Sequence, residues 1–269
     1  MRRTLKALVL TGILASTATA MAADGPVKLL IITGDNVGGH KWKETTPALK
    51  TFLSEGGQIA VDVTTAPGKD LTPENLAKYD VLLLNYKETP QGSEESKWSD
   101  ANKAAFLDAV KGGKGLVVYH FSSAAFARPN WEEFEKAIAG GWRTQGFHGP
   151  MHQFTVKKTD VSHPVSEGLP ATFEHVRDEL YSNSLLTPGS VVLATAFSDP
   201  KRHPAGTDPK KVTSKDEAVV WVNQYGKGRV FTAPRPRCRG IERPAGPEVD
   251  QAGRGVGGHG EGRARPEWA

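Results

Sequence analysis

The chain has 269 residues, a formal charge of +4 and a pI near 9.0. That charge sits at the ends. Residues 1–23 carry Arg2, Arg3 and Lys6 with no acid, residues 233–269 carry seven arginines against five acids, and the 209 residues between them are a net −1. A neutral body lacks the basic face that nucleic-acid backbones require, so no nucleic-acid partner is expected.

Met1 to Lys6 is a positive segment, Ala7 to Ala15 is apolar, and Ala18-Thr19-Ala20 and Ala20-Met21-Ala22 offer small-residue cleavage sites. This pattern predicts a signal peptide over 1–23 and an exported product, periplasmic or secreted. An amphipathic first helix fits less well, because no polar stripe interrupts Ala7–Leu10. No later segment approaches the roughly 20 apolar residues of a membrane helix, so no span is expected in the mature protein.

Val27–Ile32 is a continuous apolar run suited to a strand buried on both faces. A glycine loop, Gly34 to Gly39, leads to a predicted helix from Trp42 to Glu55, stopped by Gly56-Gly57. Gln58–Val63 is a second strand, and Thr72-Pro73 opens a short helix with proline at its first position. Tyr79–Asn85 is a third strand, Ser99–Val110 a helix, and Lys114–His120 a fourth strand. Later strands are expected at 154–158, 190–197, 218–224 and 229–232, between long loops at 140–151 and 198–214. The alternation predicts an α/β domain over 24–232: a doubly wound, mainly parallel sheet, with added strands in its C-terminal half.

From residue 233 the texture changes to eight Gly, five Pro and seven Arg, with only Ile241, Val249 and Val256 among Ile, Leu, Val and Phe. Such a low-complexity segment is expected to be disordered. Its one cysteine, Cys238, is the only one in the chain, which leaves no intrachain disulfide and no thiol for the body. One reading is a basic tail for an anionic partner. The favoured reading is a frameshift: one base out of register, the codons for 234–238 permit Leu-Gly-His-Asp-Val. Those for 247–261 then permit a helically spaced apolar string that would cover the last strand.

Ligands of open parallel sheets bind beyond the carboxyl ends of the strands. There the chain places Asp35, Asn36, His40 and Trp42, then Asn85-Tyr86, then His120 with Ser122-Ser123. The glycine loop lacks the lysine of a phosphate-binding loop, so a nucleotide site is weakly supported. Four histidines, His148, His152, His163 and His175, fall within 28 residues, close to Asp178-Glu179. Histidine with carboxylate serves general acid–base chemistry or metal binding; no helical zinc motif is present, no cofactor is evident, and a divalent metal remains an option. His120 ends a buried strand and therefore needs partners. His175 and His203 are expected at the surface. Trp42, Trp131 and Trp142 could stack on a sugar ring, with a core role equally expected for Trp131.

In order, the glycine–His40 loop, Tyr79-Asp-Val-Leu-Leu-Leu-Asn-Tyr86, Gly-Leu-Val-Val-Tyr-His120, the Gly140-Gly-Trp to His148 loop, His163-Pro164, Asp178-Glu179-Leu-Tyr181 and Tyr225-Gly-Lys-Gly-Arg-Val-Phe231 resemble the ThuA-like (trehalose utilisation) family over about residues 27–232. The resemblance implies the fold of class I glutamine amidotransferases and a role in carbohydrate, especially disaccharide, utilisation. Amidotransferases carry a cysteine on the turn that here holds His120-Phe121, so glutaminase chemistry through a thiolate is excluded. The family's Leu-Gly-His-Asp stretch after the last strand is replaced by Pro234-Arg-Pro-Arg237.

Two function classes follow. One is an exported enzyme acting on a disaccharide or keto-sugar, with His120 and His148 as acid–base groups and Asp178 or Glu179 orienting them. His40, Trp42, Asn85, His163 and Tyr181 would then contact the small carbohydrate. The other is a non-catalytic carbohydrate-binding protein using the same pocket. No motif indicates an oligomeric state.

Overall fold

The computed structural model describes residues 25–234 except Asn36 and Pro129. The expected leader, Asn36 as a loop candidate and the tail from residue 235 lie outside the described residues. In chain order the first half comprises β1 (Val27–Ile32), α1 (Trp42–Ser54), β2 (Ile59–Thr64), α2 (Pro67–Asp70), α3 (Pro73–Leu76), β3 (Val81–Leu84), α4 (Asp100–Lys111) and β4 (Gly115–Tyr119). The second half comprises α5 (Glu132–Ile138), β5 (Gly140–Gly141), β6 (Phe147–His148), β7 (His152–Lys158), β8 (Thr172–Asp178), β9 (Tyr181–Ser182), β10 (Leu185–Leu186), β11 (Val191–Phe197), β12 (Asp216–Tyr225) and β13 (Gly228–Ala233).

Nine strands form one sheet in the order β2-β1-β3-β4-β13-β12-β11-β7-β8. The first five are mutually parallel and the rest pair antiparallel, so the expected parallel sheet with added C-terminal strands is what forms. Burial explains the division. Leu29 and Ile31 pack with Leu49 of α1 on one face, while Leu30 and Ile32 pack with Phe106 and Val110 of α4 on the other. A strand covered twice must be apolar throughout. Outer strands such as β7 instead alternate buried Phe154 and Val156 with exposed neighbours.

Local chemistry fixes the helix starts. Ser99 Oγ accepts the Asn102 amide N–H at 3.2 Å, and Asn102 Oδ1 accepts the Ser99 N–H at 3.0 Å, a reciprocal cap for α4. Thr72 accepts the Asn75 N–H ahead of α3. The described helices include none long and apolar enough to cross a membrane.

Three features depart from expectation. The loop 140–151 is pinned by two short pairings, β5 with β10 and β6 with β9. His175, expected at the surface, is 5% exposed: β7–β8 register sets it opposite Phe154, on which its ring stacks at 4.7 Å and 7°. His203 is half-buried, stacked against Phe147 at 5.7 Å.

Candidate active site

Strand order reverses around β1 and β3, and the crevice expected there lies at the carboxyl ends of β1, β3 and β4. His120 follows β4 directly, with φ of 48°, a left-handed conformation that a non-glycine residue holds only when its surroundings impose it. Ser122, two residues on, supplies that constraint. Its hydroxyl accepts the Tyr86 N–H and donates to the Leu84 carbonyl, both at 2.9 Å, tying the turn to the end of β3.

The buried His120 ring has a partner at each nitrogen. Asp178, the last residue of β8, places Oδ2 3.5 Å from Nε2, and the Tyr181 hydroxyl lies 3.5 Å from Nδ1. The Asp178 side chain is 3% exposed, so its charge acts through little water. Its other oxygen accepts the Glu179 N–H at 2.8 Å.

The next residue, Glu179, serves the second histidine: its Oε1 is 3.6 Å from His148 Nε2. The Gly149 carbonyl, 2.8 Å from Nδ1, can only accept, so Nδ1 of His148 carries a proton and Nε2, which faces Glu179, is the nitrogen that gains or loses the second. Two adjacent carboxylates thus hold two histidines brought together from β4 and β6. Tyr181 lies between them, its ring 5.9 Å from His120 and 6.1 Å from His148. Trp142 crosses the Tyr181 ring edge-on at 4.5 Å and stands 5.7 Å from His148.

His40 stacks on Phe121 at 4.4 Å and meets His120 edge-on at 5.0 Å. Burial, then the neighbouring His120, depresses its pKa to about 4, so its ring is neutral at physiological pH. Asn85 is fully buried and donates from Nδ2 to Thr45 Oγ1 at 3.0 Å and Thr46 Oγ1 at 2.9 Å. Its Oδ1 is buried without a partner among the described residues. A cavity of about 280 Å³ lies against His40, Thr45, Asn85, Tyr119, His120 and Phe121.

The structure therefore brings together His120, His148, Asp178, Glu179, His40, Asn85 and Tyr181. Trp42 starts α1 beside this group but is not on the small cavity's wall. His163 stands apart. It caps a 3-10 turn by accepting the Val165 N–H at 3.2 Å, past the end of β7–β8 opposite to Asp178, roughly 20 Å along the strands. Phe121 and the Thr45–Thr46 pair had no sequence signal beyond standing near candidate residues. Among the described residues no group of three or more His, Cys, Asp or Glu side chains could hold a metal ion.

Chemically, this is a site with two histidine–carboxylate pairs, each able to take and return a proton. A neutral imidazole and an amide oxygen flank them as hydrogen-bonding groups.

Comparison with known proteins agrees with this architecture. A ThuA-like protein from Parabacteroides merdae superposes with a TM-score of 0.63 at 28% identity, over 78% of this chain and 79% of that one. One from Bacteroides uniformis gives 0.61 at 23% identity, over 80% and 84%. A cytoplasmic protein from Salmonella typhimurium shares the fold, with a TM-score of 0.51 at 18% identity over 77% and 87%. No curated protein matches the sequence. The profile of the ThuA family, described as trehalose utilisation, matches residues 28–234, and the chain belongs to that family.

Proposed function

We propose that this ThuA-family chain is an exported enzyme acting on a disaccharide or keto-sugar by histidine–carboxylate acid–base chemistry. The observation that carries the proposal is the pairing of consecutive Asp178 and Glu179 with His120 and His148 at the sheet's carboxyl edge. The His148–Glu179 pair takes a proton from a substrate C–H or from an attacking water. The His120–Asp178 pair, through the Tyr181 hydroxyl on His120 Nδ1, returns one to the oxygen whose C–O bond breaks, that bond being replaced by the C=C or the new C–O bond so formed. Each carboxylate stabilises the imidazolium that forms beside it. Neutral His40 and the Asn85 carbonyl oxygen take the substrate's hydroxyl groups, because neither demands a charged ligand. His163 has no place in this scheme. Export rests on the charge and cleavage pattern of residues 1–23.

The test is His120→Ala assayed on a panel of disaccharides and keto-sugars. Turnover is expected to vanish while sugar binding persists. An unaltered rate in the variant, or no turnover by wild type on any member, overturns the enzyme reading. The second reading, a non-catalytic carbohydrate-binding protein, is favoured by the Trp142–Tyr181 aromatic pair; sugar binding by wild type without turnover supports it. Mass spectrometry of protein recovered from the source cell envelope tests export, with a start after Ala20 or Ala22 expected and an intact Met1 chain in the cytoplasm refuting it.

A further inference from the structure

A second, larger cavity of about 1070 Å³ lies beyond β3 and β4 on the side covered by α4, with Tyr86, Trp98, Trp131, Trp142, Arg128 and Arg143 on its wall. Small-molecule sites occupy about 300–1,000 Å³, so the pocket at His40 and His120 suits one small ring and this one suits more. Trp142 joins the two regions: it lines the large cavity while its ring touches Tyr181 and stands 5.7 Å from His148.

Three properties of the wall specify a ligand. First, it is aromatic, and indole faces bind the C–H faces of pyranose rings. Second, two buried donors on this wall have no partner among the described residues, Trp98 Nε1 and Arg143 Nη2; Trp98 itself is 8% exposed. Buried donors are expensive to leave unpaired, and hydroxyl oxygens are suitable acceptors. The Glu88 carboxyl, which accepts the Phe126 N–H at 2.7 Å, is a further group that can bind hydroxyls. Third, the cations are largely compensated. Of the five cations on the wall, Lys103 pairs with Asp100, Lys97 with Glu94 and Arg143 with Glu135, Lys87 lies in the field of Glu88, and Arg128 has no ion pair among the described residues. The wall therefore lacks the concentrated positive charge that selects an anion.

We infer that this cavity is the subsite for a second, neutral pyranose ring, making the protein selective for substrates of at least two sugar units. The inference rests on the sugar-directed reading above and adds where the non-reacting ring sits: against Trp131 and Trp142, with its hydroxyls on Trp98 and Arg143.

The experiment is isothermal titration calorimetry of the full chain with glucose and with trehalose, for wild type, Trp131→Ala and Ala104→Trp. Ala104 is an exposed position of α4 on the cavity wall, so its replacement obstructs the cavity without removing core atoms. Wild type is expected to prefer trehalose on the order of tenfold, the scale of one aromatic contact. Both variants are expected to lose that preference while holding glucose unchanged. Should Trp131→Ala fail to fold, Ala104→Trp decides alone. A trehalose preference that persists in folded Ala104→Trp, or equal wild-type affinities for the two sugars, overturns the subsite and leaves the acid–base site standing. Failure of wild type to bind either sugar overturns the subsite for a neutral pyranose, and the turnover panel on disaccharides and keto-sugars then decides the acid–base reading separately.

Discussion

His40 is the residue whose environment makes the sharpest substrate-independent prediction. Its ring is stacked on Phe121 and set edge-on to His120, and its pKa is lowered from 6.5 to about 4. The causes are burial first, then repulsion from His120, opposed by Glu179 and Asp178, with His148 adding to the lowering. The folded state therefore binds fewer protons at this site than the unfolded chain does between those two values. Stability linked to His40 is complete above pH 6.5, is lost as pH falls toward 4, and changes no further below that. Between pH 7 and pH 5 an ideal shift of this size costs about 2 kcal/mol, or about 1 to 1.5 kcal/mol after allowing for the ring's partial exposure. His40→Phe keeps an aromatic ring on Phe121 and removes the titration. Urea unfolding of both proteins at pH 7 and pH 5 isolates the term, because the other ionisable groups are common to both. The wild type is expected to lose about 1 kcal/mol or more relative to the variant over that interval. A stability difference that is the same at both pH values would refute the argument that His40 is held neutral, and with it the role of a neutral ring beside His120.

Asp178→Asn removes a charge 3.5 Å from His120 Nε2, worth at most about 5 kcal/mol at an effective dielectric of about 20. Turnover of whichever sugar the wild type processes should fall at least about a hundredfold; retention of a tenth of the rate would refute charge stabilisation. Ser122→Ala strands the Tyr86 N–H and the Leu84 carbonyl, so urea denaturation should show a loss of about 2–3 kcal/mol, with none if the turn relaxes freely. Gly140→Ala would set a Cβ 2.1 Å from the Leu185 carbonyl oxygen at a φ of 143°, separating β5 from β10. A destabilisation of about 3 kcal/mol or more is expected by thermal melting, and an unchanged melting temperature would contradict that close approach.

The proposed mechanism depends on economy of placement. Asp178 ends the edge strand β8, and one further peptide carries the next carboxylate to a different histidine. Because Asp178 Oδ1 also accepts the Glu179 N–H, the two carboxylates are held in relation to each other by the backbone. A loop reaching His120 alone would not couple the two proton-transfer groups in this way.

Much of the fold was legible because its cues are local. The apolar run 27–32 becomes β1 with the same bounds, Ser99 caps α4, and glycine and proline mark the ends of α1 and the start of α3. The carboxyl-end rule likewise picked out His40, Asn85 and His120. Short elements were not legible: α5 has seven residues, too few for a periodic pattern, and β5, β6, β9 and β10 have two each. Nor was the burial of His175, whose polar ring is hidden only because β7 places Phe154 across from it. The amino-acid sequence alone determined the strand–helix alternation, the neutral body with its charged ends, and the set of polar residues at strand termini. Tertiary structure alone decided which of them meet. Tyr181 and His120 are 61 residues apart, and His163, as plausible by type as His148, lies beyond the far end of its hairpin. Periodicity records which way each side chain faces its own element, whereas contact between elements depends on strand order and register, which are set by how the whole core packs.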